Sequence, residues 1–499
     1  MLKLRSMLVW MLGLCPCLAQ APLTLASLLT DHAVLQRDMP VPIWGTADRG
    51  ATVAVLFADQ EQKATADANG RWRVQLNAMP GSLQPRTLTV RSPGQPTITR
   101  RDLVVGEVWI CSGQSNMQMS RDRVPQAKEL LPKAKNIRAF EVPRTCAFKE
   151  QESCQGTWSL RPPTSAVAFT FAYFLEQHAG WPIGIIHASW GSSSIEAWMP
   201  RDMTKTLPHF DRLMSRFDTE TEHRQKIAGM LDGSVRWNDI FMRKQPNLLY
   251  NAMIHPLAPY ACRGVVWYQG ERNTKPAIGP KTPWLEHNAT MRTYGASLKA
   301  WIQRYRKLWS REDLHFLVVM LPGYAKNVRK RAADPAAKSW AWMRESQLQA
   351  LELPHTAVAN TIDLGHITNI HPTDKLPIGR RLALLAARET LASKAIAQGP
   401  LMRRVEQLDD GLVVHFDHAK GLRTNDGKPP QSFWLADESG SWLPAEAEIR
   451  GETVRLRSPK LPLPRYARYA FAGKPTVNLV NAAGLPAYPF RTDRFELGQ

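Results

Sequence analysis

The sequence predicts an α/β protein: a parallel sheet covered by helices on both faces, flanked by N- and C-terminal β-rich, sandwich-like segments. Three observations predict this fold class. Short alternating strands occupy residues 22–104, near-continuous apolar strands alternate with helical stretches over residues 105–400, and short strands return over residues 401–499. After a leader at residues 1–21, we expect these three regions to be the domains.

The first 21 residues have the pattern of an export signal. Lys3 and Arg5 form a short positive region, Met7–Leu18 is almost entirely apolar, and Ala19-Gln20-Ala21 offers small residues for cleavage. A membrane anchor is the alternative, but the apolar run is too short to span a bilayer. We therefore expect a signal peptide and an exported protein, either periplasmic or extracellular.

The composition is that of a soluble globular protein, with 44% hydrophobic and 22% charged residues among 499. The formal charge of +20 falls by two, to +18, when Lys3 and Arg5 leave with the signal. Basic residues are spread along the chain, with one dense run at Lys326–Arg331 and no nucleic-acid-binding motif. We expect no nucleic-acid partner and no membrane partner after signal cleavage, and the oligomeric state stays open.

Four cysteines remain in the mature chain: Cys111, Cys146, Cys154 and Cys262. No pair among them has the spacing of a zinc site, so we predict no metal. Cys146 and Cys154 lie close together in a polar stretch, and the sequence leaves open whether they are bridged in an oxidising compartment.

The N-terminal region alternates apolar and polar residues between Gly-containing turns. This spacing is typical of a small all-β sandwich. The predicted strands are Val41–Gly45, Thr52–Leu56 and Trp72–Leu76.

The middle region contains five near-continuous apolar strands joined by helical stretches, which indicates a parallel sheet covered on both faces. In such sheets, ligands bind beyond the carboxyl ends of the strands. Helical spacing covers Ser165–Ala179, closed by Gly180, and Met291–Trp309. The predicted strands are Val105–Ile110, Ile183–His187, Gly264–Tyr268, His315–Met320 and Thr356–Ala359.

Short strands at Leu412–Phe416 and Thr453–Leu456 predict a β-rich C-terminal segment. The sequence leaves open whether this segment is separate or packs against the first sandwich. It also leaves open the role of the long polar insertion at residues 208–246.

Ser115 follows the first strand of the sheet and is predicted to open a helix. Free N–H groups at a helix start can stabilise an oxyanion, and a serine becomes a nucleophile once a base removes its proton. The alternative is a plain helix N-cap, which is a common role for serine. Ser115 alone does not decide between them.

Two further polar loops follow the next strands. Gly191 lets a backbone N–H approach a substrate carbonyl closely, although for this loop alone a polar turn that leads into a helix is the better explanation. Gln269 can donate its side-chain amide to an oxyanion. Glu271 is interpreted as a substrate contact or a supporting carboxylate, or as a surface partner of Arg272.

His371 follows the last strand and is the candidate general base. A lone histidine is more often structural, but this one is predicted at the same edge of the sheet as Ser115, which favours the catalytic interpretation.

Together these blocks resemble the SGNH-hydrolase superfamily, and specifically the sialate O-acetylesterase family with its bacterial carbohydrate-esterase relatives. The resemblance extends over nearly the whole mature chain, and the pair Gly-Gln-Ser-Asn-Met and Trp-Tyr-Gln-Gly-Glu in this order is highly specific. The blocks that carry it are Gly106–Trp109, Gly113–Met117, Leu249–Ile254, Trp267–Glu271, Trp342–Gln347, Ile370–Pro372 and Gly379–Ala383.

The resemblance implies a serine esterase that removes O-acetyl groups from carbohydrates, either sialate or plant-polysaccharide esters, without a cofactor. It implies Ser115 as nucleophile and His371 as base, with Gly191 and Gln269 as oxyanion donors beside the Ser115 N–H. We assign Asn116 and Glu271 as candidate substrate-binding residues.

One position departs from the family pattern. An aspartate usually stands two residues before the histidine, and this chain has Asn369. An aspartate would orient the imidazole and stabilise its protonated form. Asn369 can accept a hydrogen bond but carries no charge, and Asp363 and Asp374 are nearby alternatives. The stretch Asp363-Leu364-Gly365-His366 also differs from the family's Asp-Leu-Gly-Asp. Because of these two differences, the alternative function is a catalytically weak or inactive glycan-binding relative.

Overall fold

The protein is described by a computed structural model that covers residues 21–275 and 288–496. Residues 1–20 of the expected signal peptide lie outside this range, so export stays a prediction. Among the residues covered, no helix combines the length and the apolar character needed to cross a bilayer.

The N-terminal strands confirm the predicted alternation. In Arg71–Leu76 the side chains of Trp72, Val74 and Leu76 are buried while the residues between them are exposed. The strands are β1 (Val34–Gln36), β2 (Val41–Thr46), β3 (Thr52–Phe57), β4 (Gln60–Thr65), β5 (Arg71–Leu76), β6 (Ser82–Arg91) and β7 (Ile98–Gly113).

Strand β7 is longer than the sequence predicts and belongs to two parts of the fold. Its first residues pair antiparallel with β6, and Glu107–Gly113 pairs parallel with the central strand Ile183–Ser189. The predicted domain boundary between residues 104 and 105 therefore falls inside one continuous strand, and the division into domains stays a proposal.

The central sheet has the predicted parallel strands. Its order is β13-β12-β11-β7-β10-β8, all parallel, with the short β9 antiparallel at the β8 edge. The sequence analysis missed the edge strands β8 and β9. The strands are β8 (Ile137–Glu141), β9 (Trp158–Ser159), β10 (Ile183–Ser189), β11 (Gly264–Tyr268), β12 (His315–Val319) and β13 (Thr356–Ala359).

Helices cover both faces of this sheet. Trp109 of β7 packs edge-on against Phe171, with ring centroids 5.5 Å apart, and Trp267 of β11 packs against Trp301 at 4.4 Å. Trp267 pairs in register with Ser112, three residues after Trp109, so the two tryptophans lie on opposite faces. The helices are α1 (Ser115–Gln118), α2 (Pro125–Leu130), α3 (Ala166–Ala179), α4 (Pro208–Thr219), α5 (Thr221–Asp232), α6 (Asp239–Met242), α7 (Tyr294–Trp309), α8 (Ala341–Leu348) and α9 (Leu376–Thr390).

Helix α3 begins and ends where its sequence predicts. The Ser165 hydroxyl accepts the Ala168 N–H at the start, and Gly180 closes the helix in the left-handed conformation with φ of 74°.

The C-terminal segment packs on the β13 side of the central sheet. The Tyr488 hydroxyl donates to the Val358 carbonyl oxygen, and the Asn360 amide donates to the Pro486 carbonyl oxygen. Its main sheets are β14-β15-β20-β19 and β18-β17-β21-β23. The strands are β14 (Leu401–Leu408), β15 (Gly411–Asp417), β16 (Arg423–Thr424), β17 (Phe433–Ala436), β18 (Leu443–Pro444), β19 (Glu446–Arg450), β20 (Thr453–Arg457), β21 (Tyr466–Tyr469), β22 (Leu479–Val480) and β23 (Phe490–Arg491).

All four described cysteines are free thiols, so Cys146 and Cys154 are not bridged. Burial raises the pKa of the Cys154 thiol to about 11, which keeps it protonated and unreactive at neutral pH.

A buried ion cluster fixes the start of the parallel part of β7. The Glu107 side chain is fully buried and contacts Arg37 at 3.0 Å and Arg263 at 2.9 Å. A buried carboxylate shared by two guanidinium groups joins the N-terminal segment to the central sheet, because Arg37 follows β1 and Arg263 precedes β11.

Replacing Glu107 by Gln removes the charge between two nearly buried arginines. We expect the free energy of unfolding to fall by about 3–5 kcal/mol, the cost typical of breaking a buried pair. Chemical denaturation measures the change. The matched control is Glu448→Gln, which removes an exposed carboxylate 3.1 Å from Arg450 and should leave stability unaltered. Equal effects of the two variants would contradict a structural role for the Glu107 cluster.

Candidate active site

A cavity of about 680 Å³ opens at the carboxyl edge of the central sheet. It brings together three residues that the sequence predicts as site residues, from loops after β7, β10 and β13. The lining residues are Ser115, Gln118, Met119, Ser120, Arg123, Glu141, Val142, Pro143, Arg144, Thr164, His187, Ser189, Gly191, Ser192, Arg243 and His371.

Ser115 is the first residue of α1, directly after β7. The chain turns at Gly113, where φ is 139° and an added Cβ would lie 2.2 Å from the Tyr268 carbonyl oxygen, so only glycine fits. The residue at the N-cap position is Gln114, and it makes no side-chain cap. The Ser115 hydroxyl is therefore not a helix cap and is available for another partner.

That partner is His371. The Nε2 atom of His371 lies 2.8 Å from the Ser115 Oγ atom, across 256 positions of sequence. This distance is within hydrogen-bond reach for a serine and its base.

Burial and cations lower the pKa of the His371 imidazole below its ordinary value. Burial is the largest cause, followed by the positive charges of Lys375, Arg123 and Lys275. At neutral pH the ring is therefore neutral, which is the form that can accept a proton from a hydroxyl.

No carboxylate among the described residues forms a hydrogen bond with the His371 ring. Asp363 forms a two-pronged ion pair with Arg381, with N–O distances of 2.7 and 2.6 Å. Burial and the neighbouring Asp363 charge raise the pKa of Asp374, and its side chain forms no hydrogen bond with His371. The Asn369 side-chain oxygen accepts the backbone N–H of His371 at 2.9 Å, so Asn369 shapes the loop rather than orienting the ring.

His366 stands at the end of the altered Asp363-Leu364-Gly365-His366 stretch and shapes the turn after it. Its Nδ1 atom accepts the backbone N–H groups of Thr368 at 3.1 Å and Asn369 at 3.0 Å. These two hydrogen bonds close the turn that leads to His371.

Asn116 and Glu271 lie beneath the cavity and not on its surface. Both are buried, and the Asn116 amide donates to Glu271 and to the Ile370 carbonyl oxygen, while its oxygen accepts from Lys375 Nζ at 2.6 Å. Burial lowers the pKa of Lys375 to about 8, and burial raises the pKa of Glu271. In this arrangement the two predicted substrate-binding residues hold the His371 loop against the Ser115 helix.

Gly191 lies close to the serine. A Cβ added there would be 3.2 Å from the Ser115 Cβ atom and 3.1 Å from the Gln118 side-chain oxygen. Its backbone N–H donates to that same Gln118 oxygen at 2.6 Å. The sequence analysis did not identify Gln118, whose amide oxygen carries no motif signal.

Gln269 does not line the cavity. It is fully buried, and its amide nitrogen lies 3.1 Å from the Gln114 side-chain oxygen, 3.1 Å from the Ser193 carbonyl and 2.9 Å from the Asn273 side-chain oxygen. An amide has two N–H groups, so none remains for an oxyanion in this geometry. Gln269 instead ties together the loops that carry Ser115 and Gly191.

Three arginines and one carboxylate, Glu141, line the cavity wall, so its net charge is positive. Arg123 and Arg144 have no carboxylate partner among the described residues, and Arg243 contacts Asp239 at 3.4 Å. Arg243 follows α6, so the insertion at residues 208–246 forms part of the cavity wall. The basic run Lys326–Arg331 does not line this cavity; Lys330 and Arg331 line a separate groove beside Trp442.

Comparisons with known proteins identify relatives of this chain. Residues 233–387, which contain His371, match the family model described as "Carbohydrate esterase, sialic acid-specific acetylesterase". The sialate O-acetylesterase of Rattus norvegicus is 27% identical over 469 residues, covering 84% of each chain, and that of Homo sapiens is 26% identical over 463 residues, covering 84% of this chain and 82% of the human protein.

A solved structure extends the similarity over nearly the whole chain. The crystal structure of a carbohydrate acetylesterase from Xanthomonas citri is 32% identical, with a TM-score of 0.78, covering 95% of this chain and 100% of that one.

Replacing Arg123 by Gln removes one cation that lowers the pKa of His371. We expect that pKa to rise toward its ordinary value, because a nearby positive charge disfavours the protonated ring. The rate at which a fluorophosphonate labels Ser115, followed against pH, reports the fraction of neutral ring. Its acidic limb should move to higher pH in Arg123→Gln and stay in place in the control Arg403→Gln, an exposed residue of β14. An unmoved or lowered limb in Arg123→Gln would contradict this electrostatic account.

Proposed function

Because the chain belongs to the sialate O-acetylesterase family of carbohydrate esterases and is a carboxylic ester hydrolase, we propose that it removes O-acetyl groups through an acetyl-enzyme on Ser115. The observation that carries this proposal is the 2.8 Å contact between the Ser115 hydroxyl and His371 Nε2 inside the cavity. The alternative function, an inactive glycan-binding protein, would not require a base beside Ser115. The contact between Ser115 and His371 therefore favours the esterase.

In the first step Ser115 Oγ attacks the acetyl carbonyl carbon. The hydroxyl proton moves to Nε2 of the neutral His371 ring, which requires the tautomer that carries its own proton on Nδ1. When the tetrahedral intermediate collapses, the bond to the sugar oxygen breaks and His371 returns the proton to that oxygen. The deacetylated sugar then leaves.

The negative oxygen of the intermediate needs N–H donors. The Ser115 N–H has no acceptor among the described residues, and the Gly191 N–H donates to the Gln118 side-chain oxygen. In this proposal the acetyl oxygen displaces the Gln118 oxygen and takes both donors. Gln269 contributes by fixing the two loops and not by direct donation.

In the second step water attacks the acetyl-enzyme. His371 takes a proton from the water, the same donors stabilise the second intermediate, and the bond between the acetyl carbon and Ser115 Oγ breaks. Acetate leaves and the serine recovers its proton from His371. The cations that lower the His371 pKa keep the ring neutral and ready for each step.

Ser115→Ala removes the nucleophile and should lower acetate release from an aryl acetate by about a thousandfold or more, as loss of a catalytic serine does. His371→Ala should lower it to a similar degree, because the two residues act as one unit. The matched control is Ser120→Ala, a serine in the same cavity whose hydroxyl contacts Asp122 and no described histidine, and this variant should retain nearly full activity. Full activity in Ser115→Ala would exclude the proposed mechanism.

The cavity charge favours an anionic sugar as the acetylated substrate. Arg123 and Arg144 offer guanidinium groups that no carboxylate of the described residues contacts, and guanidinium matches a carboxylate in geometry and charge. The relatives named for sialate act on a sugar acid, and uronate-containing polysaccharides carry the same group. We therefore extend the proposal to O-acetylated sugars with a carboxylate.

Replacing Arg144 by Gln tests this preference. We expect kcat/KM to fall about five- to tenfold for an O-acetylated sialate, which corresponds to roughly 1 kcal/mol for an exposed charge contact. A neutral acetylated methyl xyloside, assayed in parallel with the same variant, should change little. A similar loss of kcat/KM on both substrates would show that Arg144 shapes the cavity and does not recognise the carboxylate of the substrate.

A further inference from the structure

The cavity contains a second serine–histidine contact, separate from Ser115 and His371. Ser189 and His187 lie two residues apart at the end of β10, so their side chains are on the same face of the sheet. The Ser189 Oγ atom is 2.6 Å from His187 Nε2, and His187 Nδ1 is 2.7 Å from Glu141 Oε2. The three side chains form a serine–histidine–carboxylate chain.

The carboxylate fixes the tautomer of this histidine. Although burial alone would raise the pKa of Glu141, the neighbouring His187 and the Thr164 N–H and hydroxyl lower it to about 2. Glu141 is therefore ionised and can only accept hydrogen bonds. Nδ1 of His187 must donate to it, which leaves Nε2 as the ring atom that faces Ser189.

The Ser189 hydroxyl contacts Nε2 and has no other hydrogen-bond partner among the described residues. Other serines in these loops use their hydroxyls structurally, since Ser193 donates to the Trp190 carbonyl and Ser165 to the Met117 carbonyl. His187 and Ser189 are 6% and 4% exposed, and both line the cavity that Ser115 lines. A polarised serine thus faces space that an acyl ester can enter.

A backbone donor follows this serine in the loop after β10. Ser192, three residues after Ser189, adopts the left-handed conformation with φ of 61°, lines the cavity, and has a backbone N–H without an acceptor among the described residues. A free N–H that lines the same cavity is the kind of donor that an oxyanion requires.

We propose that Ser189 is a second reactive serine, activated by His187 and Glu141, that accepts acyl groups from esters bound in the same cavity. Ser189 Oγ forms a bond to the acyl carbon, and its proton moves to His187 Nε2. The ester bond breaks, and the departing alkoxide receives that proton. Water, deprotonated by His187, then releases the carboxylic acid and restores the serine.

A fluorophosphonate that labels reactive serines tests this directly in the Ser115→Ala protein, where Ser115 cannot react. We expect a covalent adduct on the peptide that contains Ser189, forming at least tenfold faster than in Ser115→Ala/His187→Gln. The control Ser115→Ala/Ser120→Ala should keep the adduct, because Ser120 lines the same cavity but is not part of the serine–histidine–carboxylate chain. Near-ultraviolet circular dichroism of each variant identifies any that has lost its native packing.

Hydrolysis of an aryl acetate gives a second readout. The residual rate of Ser115→Ala should fall further in Ser115→Ala/Ser189→Ala and in Ser115→Ala/Glu141→Gln. No adduct on Ser189 in natively packed Ser115→Ala, or an adduct whose rate ignores His187→Gln, overturns the second serine. The proposed function fails by a different result, namely an unlabelled Ser115 in the wild-type protein.

Discussion

The common register of three parallel strands is the constraint on which the cavity depends. Gly113 of β7 pairs with Ser189 of β10 and with Tyr268 of β11, so the three strands end at one level of the sheet. The loops after them therefore start side by side, as expected for ligand sites at the carboxyl edge of such sheets. The close approach of Tyr268 to Gly113 leaves no room for a side chain, and the chain turns there directly into the Ser115 helix.

The proposed base works in an unusual electrostatic setting. A carboxylate behind the imidazole would hold its tautomer and stabilise the protonated ring, but Asp363 is engaged by Arg381 and Asn369 bonds to the backbone. Cations around His371 favour the neutral ring instead. The loop that carries the ring is held in place, because the Asn116 amide donates a hydrogen bond to the Ile370 carbonyl oxygen. An anionic substrate would offset the cations during the reaction and favour proton transfer to His371.

The sequence predicted the central sheet well, because buried parallel strands such as Gly264–Tyr268 are continuous apolar runs whose signal is local. It also predicted that Ser115, Gly191 and His371 lie at one edge of the sheet. The carboxyl ends of parallel strands lie at the same edge whatever the order of the strands. It could not predict that the Gln269 amide forms its hydrogen bonds with Gln114, Ser193 and Asn273, because two of these partners come from distant loops. The position of Arg243 at the cavity wall and the contact of Glu141 with His187 likewise depend on residues far apart in the sequence.

The central claim is that an acetyl group is transferred to Ser115 during the reaction. Rapid-quench mass spectrometry of the wild-type protein with an acetyl ester measures this most directly. During turnover, we expect the peptide containing Ser115 to gain the mass of one acetyl group and to lose it when the substrate is exhausted. Acetate release with no acetylation of the Ser115 peptide at any time would contradict it.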